Sequence, residues 1–219
     1  MNSHTVWALT IALALTALGA ALPGKLAAAE PKPPIPAGRY TLDQSHSTVI
    51  FRVSHIGFSF YTASFARFDA ELQFDPEDLS TAELTASIDV SSLQLPAPPA
   101  GFLGTLLGAD WFDTDKYPQI TYRSTAVEKA GPDTARVTGE LTLHGRTRPV
   151  VLDLRFNGGY AGLAGLDPNA RIGFSARGKL LRSEFGMTTG IPPAGTTLGV
   201  GDEVEFIIET EFTGPPLRQ

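Results

Sequence analysis

The sequence predicts an all-β domain of eight antiparallel strands with one short helix. Three observations carry this. Apolar and polar residues alternate with a period of two in eight separate runs. Successive side chains of a strand point to opposite faces, so each run has one apolar face. Turn chemistry separates the runs, as in Asp75-Pro76-Glu77-Asp78 and His144-Gly145-Arg146-Thr147. Helical spacing occurs in one place, at Phe102, Leu103, Leu106 and Leu107.

In chain order, the first strand places Val49, Phe51 and Val53 on one face, with Ser47 and His55 at its ends and Ile50 and Arg52 opposite. Gly57 interrupts it, and residues 58–61 have no assigned place. The second, 65–74, sets Phe68, Ala70, Leu72 and Phe74 against Arg67, Asp69, Glu71 and Gln73. The third, 82–90, alternates Leu84, Ala86, Ile88 and Val90 with Thr85, Ser87 and Asp89. A proline-rich apolar loop, 95–101, leads to a helix expected over 101–111, where Gly104 and Gly108 lower its intrinsic stability. The fourth strand is 120–127. Residues 137–156 hold the clearest pair: Val137, Gly139, Leu141 and Leu143, a polar break, then Val150, Leu152, Leu154 and Phe156. Gly145 in that break suits a hairpin, and Pro149, without an amide donor, belongs at a strand start or a bulge. A flexible connection, 158–169, precedes the seventh strand, 170–180, with Ile172, Phe174 and Ala176 on one face. After a long loop from Arg182, the eighth strand, 203–212, sets Val204, Phe206, Ile208 and Phe212 against Glu203, Glu205 and Glu209.

Residues 6–22 are apolar and nearly uncharged, and Ala27 and Ala29 have the spacing of a secretory cleavage site. Residues 1–29 therefore read as a signal peptide cut after Ala29, placing the protein in the periplasm. A retained membrane anchor is the alternative, although the run is short for a span of about 20 residues. Residues 30–38 are a proline-rich leader, expected to be extended and poorly packed. The barrel domain is expected over 39–214, with a tail at 215–219. Removing the first 29 residues leaves 16 basic against 23 acidic residues, a net charge of −7. That disfavours nucleic acid and anionic membrane surfaces as main partners. The chain has no cysteine, so an exported domain of this kind relies on its core and not on disulfides.

Eight strands with one apolar face each can build a two-sheet sandwich or a closed barrel, and eight is the number at which a barrel can hold side chains or one small ligand. Periodicity does not choose between them. Phe51, Phe68, Phe74, Phe174 and Phe206 lie on apolar faces, which ordinarily pack against one another. Ala70, Ala86, Gly139 and Ala176 on the same faces would leave room for a chain, but small residues also occur in filled, tapered barrels.

The chain resembles the YceI-like periplasmic proteins. The resemblance runs from Tyr40 to Phe212. It is carried by Ser47-x-Val49-x-Phe51-x-Val53-x-His55-x-Gly57, by Phe65-x-x-Phe68-x-Ala70-x-Leu72-x-Phe74-Asp75, and by Asp110-Trp111-Phe112-Asp113 with Lys116-Tyr117-Pro118. It continues in Gly139-Glu140-Leu141-Thr142-Leu143-His144-Gly145, Thr147-x-Pro149-Val150, Arg182-Ser183-Glu184-Phe185-Gly186 and Gly201-Asp202-Glu203-Val204. It implies an extended, lipocalin-like eight-stranded barrel around an apolar tunnel, with the helix near the mouth. The implied ligand is a long lipid, a polyprenyl chain or an isoprenoid quinone, and no other cofactor. Tunnel-lining residues are then expected at Val49, Phe51, Val53, Phe68, Ala70, Leu72, Ile88, Val137, Leu141, Leu152, Phe174 and Phe206. Mouth residues are expected at Phe58, Phe60, Phe102, Leu103, Leu106, Leu107, Trp111 and Phe112, where they would govern entry. Many members carry Arg, Asp and His between the third strand and the helix. Here residues 96–102 carry no charge, so the expectation covers the tail of a ligand and not an anionic head group. Transient contact with inner-membrane proteins and a homodimer remain open as further partners.

His46, His55 and His144 share no short ligand spacing, and cysteine is absent, so no metal site is expected. There is no G-x-S-x-G elbow, P-loop or dinucleotide fingerprint. The favoured reading is a non-enzymatic lipid carrier. A filled structural barrel and a histidine-dependent hydrolase or isomerase are its rivals.

Overall fold

A computed structural model describes residues 34–217. The expected signal peptide and cut after Ala29, the first four residues of the leader and the last two residues of the tail lie outside the described residues. Ten strand segments form one sheet: β1 (Gly38–His55), β2 (Ser59–Phe65), β3 (Phe68–Phe74), β4 (Glu83–Asp89), β5 (Leu93–Gln94), β6 (Gln119–Lys129), β7 (Thr134–Leu143), β8 (Arg146–Tyr160), β9 (Asn169–Leu181) and β10 (Val200–Pro216). Every pairing is antiparallel, and β10 pairs back onto β1, from Thr41↔Thr213 to His55↔Val200. β2 runs on into β3 and β4 into β5, so the segments trace a closed barrel of eight staves. Closure removes the free edges that an open sheet would expose.

β1 is long enough to serve two neighbours. Its start pairs with β3 (Gly38↔Phe74) and its end with β2 (Val49↔Phe65 to His55↔Ser59). Between them lies a bulge at Asp43–Thr48, held by short polar side chains. The Asp43 carboxylate accepts from the Ser45 amide at 3.1 Å, and Ser47 Oγ accepts the Glu211 amide at 3.1 Å. Residues 58–61, unplaced from sequence, are the hairpin tip and the start of β2.

The polar break between β7 and β8 is a two-residue hairpin with Leu143 opposite Arg146. His144 and Gly145 both take positive φ, 50° and 72°, as a turn matched to strand twist requires. Pro149 sits in β8 before that strand gains its second neighbour at Asp153, so its missing amide costs little on that side. Inside the barrel Gly139 is covered by the Tyr122 ring, which occupies the space a Cβ would need. The Tyr122 hydroxyl donates to the Val137 carbonyl at 3.1 Å. That glycine therefore makes room for a protein side chain and not for a ligand.

Several boundaries differ from expectation: the strand expected over 65–74 is broken at Ala66-Arg67 between β2 and β3, β8 runs on to Tyr160 into the expected connection, and β10 extends past 203–212 at both ends. The helix α1 is Phe102–Leu107 and not 101–111, because Gly108 is already extended (φ −75°, ψ 177°) and turns hydrogen-bonded back onto the helix carry the chain to Trp111. The end of the leader is packed: Ile35 contacts the core, and the buried Tyr40 hydroxyl donates to the Pro36 carbonyl at 2.7 Å. Tyr40 has almost no access to water, and burial pushes its pKa up to about 12.

Candidate functional site

The inner faces of the strands pack in two clusters. One, at the α1 end, includes Val49, Phe65, Val90, Leu93, Leu106, Phe185 and Met187. The other, at the opposite end, includes Tyr40, Leu72, Phe74, Ile172, Phe174 and Phe212. A continuous cavity of about 860 Å³ runs along both. Several wall residues show directly that the interior is hollow. Leu84, Ala86, Ile88, Leu141, Leu154, Phe206 and Ile208 line the cavity, yet they are only half-buried, because their free surface faces the void. At the ~30 Å³ share of a water-sized group, the space holds about thirty carbon-sized groups, or about six isoprene units.

The structure places Val49, Phe51, Val53, Phe68, Ala70, Leu72, Ile88, Val137, Leu141, Leu152, Phe174 and Phe206 on the cavity wall. Of the residues expected at the mouth, Phe102, Leu106, Trp111 and Phe112 also line it, whereas Phe58, Phe60, Leu103 and Leu107 do not. Phe58 is 84% exposed at the hairpin tip and Phe60 is 54% exposed. β2 turns Tyr61, Ala63 and Phe65 inward, so alternation sends Phe60 outward, where the Arg52 guanidinium lies 4.9 Å from its ring centre. Leu103 is on the solvent face of α1, and Leu107 packs against neighbours of the core. The sequence reading gave Tyr61 and Ala63 no face and placed Phe65 only at the start of the 65–74 strand, although the alternation of the three marks them as one face.

Arg182, part of the family motif in the sequence, is not among the expected site residues. It lines the cavity at the α1 end and is 4% exposed. Its Nε donates to the Gly201 carbonyl (2.9 Å), Nη1 to Met187 (2.9 Å) and Thr189 (2.8 Å), and Nη2 to Val200 (2.8 Å). The guanidinium centre lies 5.4 Å from the Trp111 ring centre. Burial pulls its pKa below the ordinary guanidinium value, and the Asp202 charge acts against that. Its work is to pin the 187–201 loop to the barrel. The Tyr122 hydroxyl, inside the wall, is likewise pushed by burial to a pKa of about 12 and stays neutral. Most other wall groups are hydrocarbon, so the wall can exclude water and hold an apolar chain.

His46, His55 and His144 sit apart. His55 ends β1 at the cavity's α1 end. His144 packs on Tyr117, ring centres 4.6 Å apart, with Nδ1 3.3 Å from the Phe185 carbonyl and Nε2 buried without a partner. His46 lies in the β1 bulge, outside the barrel. With Asp43 and Glu211 it could present three metal-ligating atoms within 4.8 Å of one another. The Arg171 guanidinium already pairs with that Asp43 carboxylate, and a metal ion would have to displace it.

Residues 40–212 match the YceI-like domain. Protein YceI of Salmonella arizonae is 34% identical over 179 residues, which cover 80% of this chain and 86% of that protein. Burkholderia cenocepacia BcnA, 26% identical, superposes with a TM-score of 0.65, covering 78% of this chain and 98% of its own. The Campylobacter jejuni YCEI protein, 30% identical, gives 0.62, with 80% and 98% covered. A polyisoprenoid binding domain from Saccharophagus degradans shares the fold at 15% identity and a TM-score of 0.60, with 80% and 98% covered.

Proposed function

The chain belongs to the YceI-like family, and from that premise we propose that it is a periplasmic carrier that binds the chain of a polyprenyl lipid, an isoprenoid quinone or a similar long lipid. The observation that carries this is the continuous cavity whose inward side chains keep free surface. Water in such a space is poorly accommodated, since the wall offers it few hydrogen-bond partners. An apolar chain gains about 0.8 kcal/mol for each methylene it buries there. The fold is also that of a polyisoprenoid binding domain, so this architecture can enclose such a chain. The role is binding and not catalysis.

Native mass spectrometry on gently purified full-length protein tests the reading, followed by lipid extraction and mass analysis. A co-purifying long-chain lipid supports it. A chain that emerges empty, and stays empty after incubation with isoprenoid lipids, overturns it in favour of a structural barrel. The mass of the mature protein recovered from the periplasm tests export and the cut after Ala29.

A further inference from the structure

The cavity differs at its two ends. At the α1 end its lining is mostly buried or half-buried apolar side chains such as Leu106, Trp111 and Met187, with His55 and Pro99 exposed at the rim. There the Phe112 ring meets Phe51 and Phe65 edge-on, with ring centres 6.5 and 6.1 Å apart. At the other end, β1, β3, β9 and β10 are sealed by Phe74, Phe174 and Phe212, whose rings contact in series at 6.2 Å. The seal stops at the neighbouring staves. Between the 75–82 loop and the β6–β7 hairpin the cavity is lined by Leu79, Ala82, Val127, Lys129, Pro132 and Asp133. Of these, Lys129, Pro132 and Asp133 are exposed to solvent.

The hydrogen-bond ladder explains this opening. β4 pairs with β6 only from Thr85↔Arg123 to Asp89↔Gln119. Beyond Arg123, β6 runs beside the 3-10 turn Leu79–Thr81 instead of a strand. Ser124 Oγ accepts the Leu84 amide at 2.8 Å, doing by side chain what the ladder no longer does. β6 also carries an irregularity between Ser124 and Ala126 in its pairing with β7. The wall here is turn and hairpin, whose backbones are less mutually bonded than paired strands.

The geometry points to this seam as the tunnel's portal, and to a chain lying with its tail under α1 and its polar head between Lys129 and Asp133. This rests on the lipid-carrier reading and adds entry site and orientation to it. A head group at the seam keeps its water. The same group under α1 would exchange water for aromatic and aliphatic surface, which is costly without compensating hydrogen bonds. Arg182 does not reverse that preference, because its Nε, both Nη1 hydrogens and one Nη2 hydrogen are already given to carbonyls. Entry at Phe58, Phe60, Leu103 and Leu107 is disfavoured, since none of the four lines the cavity.

The chain has no cysteine, so single-site labelling is clean. Lys129→Cys and Leu103→Cys change exposed positions, and each full chain is labelled with a small thiol-reactive fluorophore. The probes are stearic acid with a nitroxide beside the carboxyl and stearic acid with a nitroxide at the methyl end. The carboxyl-side nitroxide should quench the label at 129 more than the methyl-end one, and the ranking should invert at 103. An inverted or equal ranking at both labels overturns the orientation and the portal. Binding is scored separately, from nitroxide immobilisation by unlabelled wild-type protein. Failure to immobilise either probe overturns the lipid reading, and this proposal with it.

Discussion

Replacing Ala86 by Phe should raise the stability of the lipid-free protein and weaken chain binding. Ala86 faces inward between Ala70 of β3 and Tyr122 of β6, lines the cavity and is half-buried. The substitution adds six ring carbons, and the void can take them. At about 0.8 kcal/mol for each carbon group that a bound chain would otherwise bury there, the ring displaces about 5 kcal/mol of transfer free energy. That is more than about a thousandfold in Kd, at ~1.4 kcal/mol per tenfold. Filling the space should stabilise the empty protein by about 1 kcal/mol, a rise of about 3 °C in Tm for a domain of this size. The opposite holds if the interior is filled, because the same ring is then overpacked and costs about 1–3 kcal/mol. Thermal unfolding of delipidated protein and titration with an isoprenoid alcohol of about six units, a length set by the ~30 Å³ estimate, measure both quantities. A lower Tm, or an affinity equal to wild type, would refute the hollow interior.

Gly139→Val puts a side chain where the Tyr122 ring lies and pulls its hydroxyl from the Val137 carbonyl; urea unfolding should show a loss of about 3 kcal/mol. Arg182→Met leaves the carbonyls of Met187, Thr189, Val200 and Gly201 without their donor. It should cost about 3–5 kcal/mol, and hydrogen exchange should accelerate first in the 187–201 loop. His46 has its pKa raised, chiefly by its hydrogen bond to Asp43 and then by the charges of Asp43 and Glu211. Its contribution to stability is therefore complete below the ordinary value of about 6.5 and lost as pH rises through the raised folded value. An NMR titration of His46 should give a midpoint above that ordinary value, falling back toward it in Asp43→Asn.

Strand faces were legible wherever one face is buried and the other is wet. Phe68, Ala70, Leu72 and Phe74 were assigned inward from alternation alone, and they line the cavity. The β2 segment was not, because Phe58 and Phe60 are large and apolar yet point outward. The correct phase is written in the numbering. Val49, Phe51 and Val53, then Tyr61, Ala63 and Phe65, are odd, whereas Phe68 to Phe74 is even. That switch at Ala66-Arg67 requires an inserted residue, and the structure breaks the strand there. The hollow interior was not legible, because alternation says which side a residue takes and not how far away the opposite wall stands. Gly139 shows the same limit, since a small residue that seemed to leave room lies under the Tyr122 ring. Nothing in the period marked Arg182 as buried. Its four carbonyl acceptors come from residues up to 19 positions away in the chain.

The size of the cavity also constrains how such a carrier could unload. About thirty carbon groups at about 0.8 kcal/mol each would gain some 24 kcal/mol against water before ordering costs. That gross figure lies beyond the ~18–21 kcal/mol at which non-covalent affinities saturate. Loss of translational and conformational freedom brings it back toward that range. Even so, a chain that fills the cavity cannot escape into water on a useful timescale. A bilayer interior offers much the same transfer energy as the tunnel, so exchange with a membrane or another apolar site is close to balanced where release to water is not. Unloading must therefore occur in contact with an apolar acceptor. The sparing use of charge along the wall suits this, because strong head-group bonds would tip a near-balanced exchange toward retention.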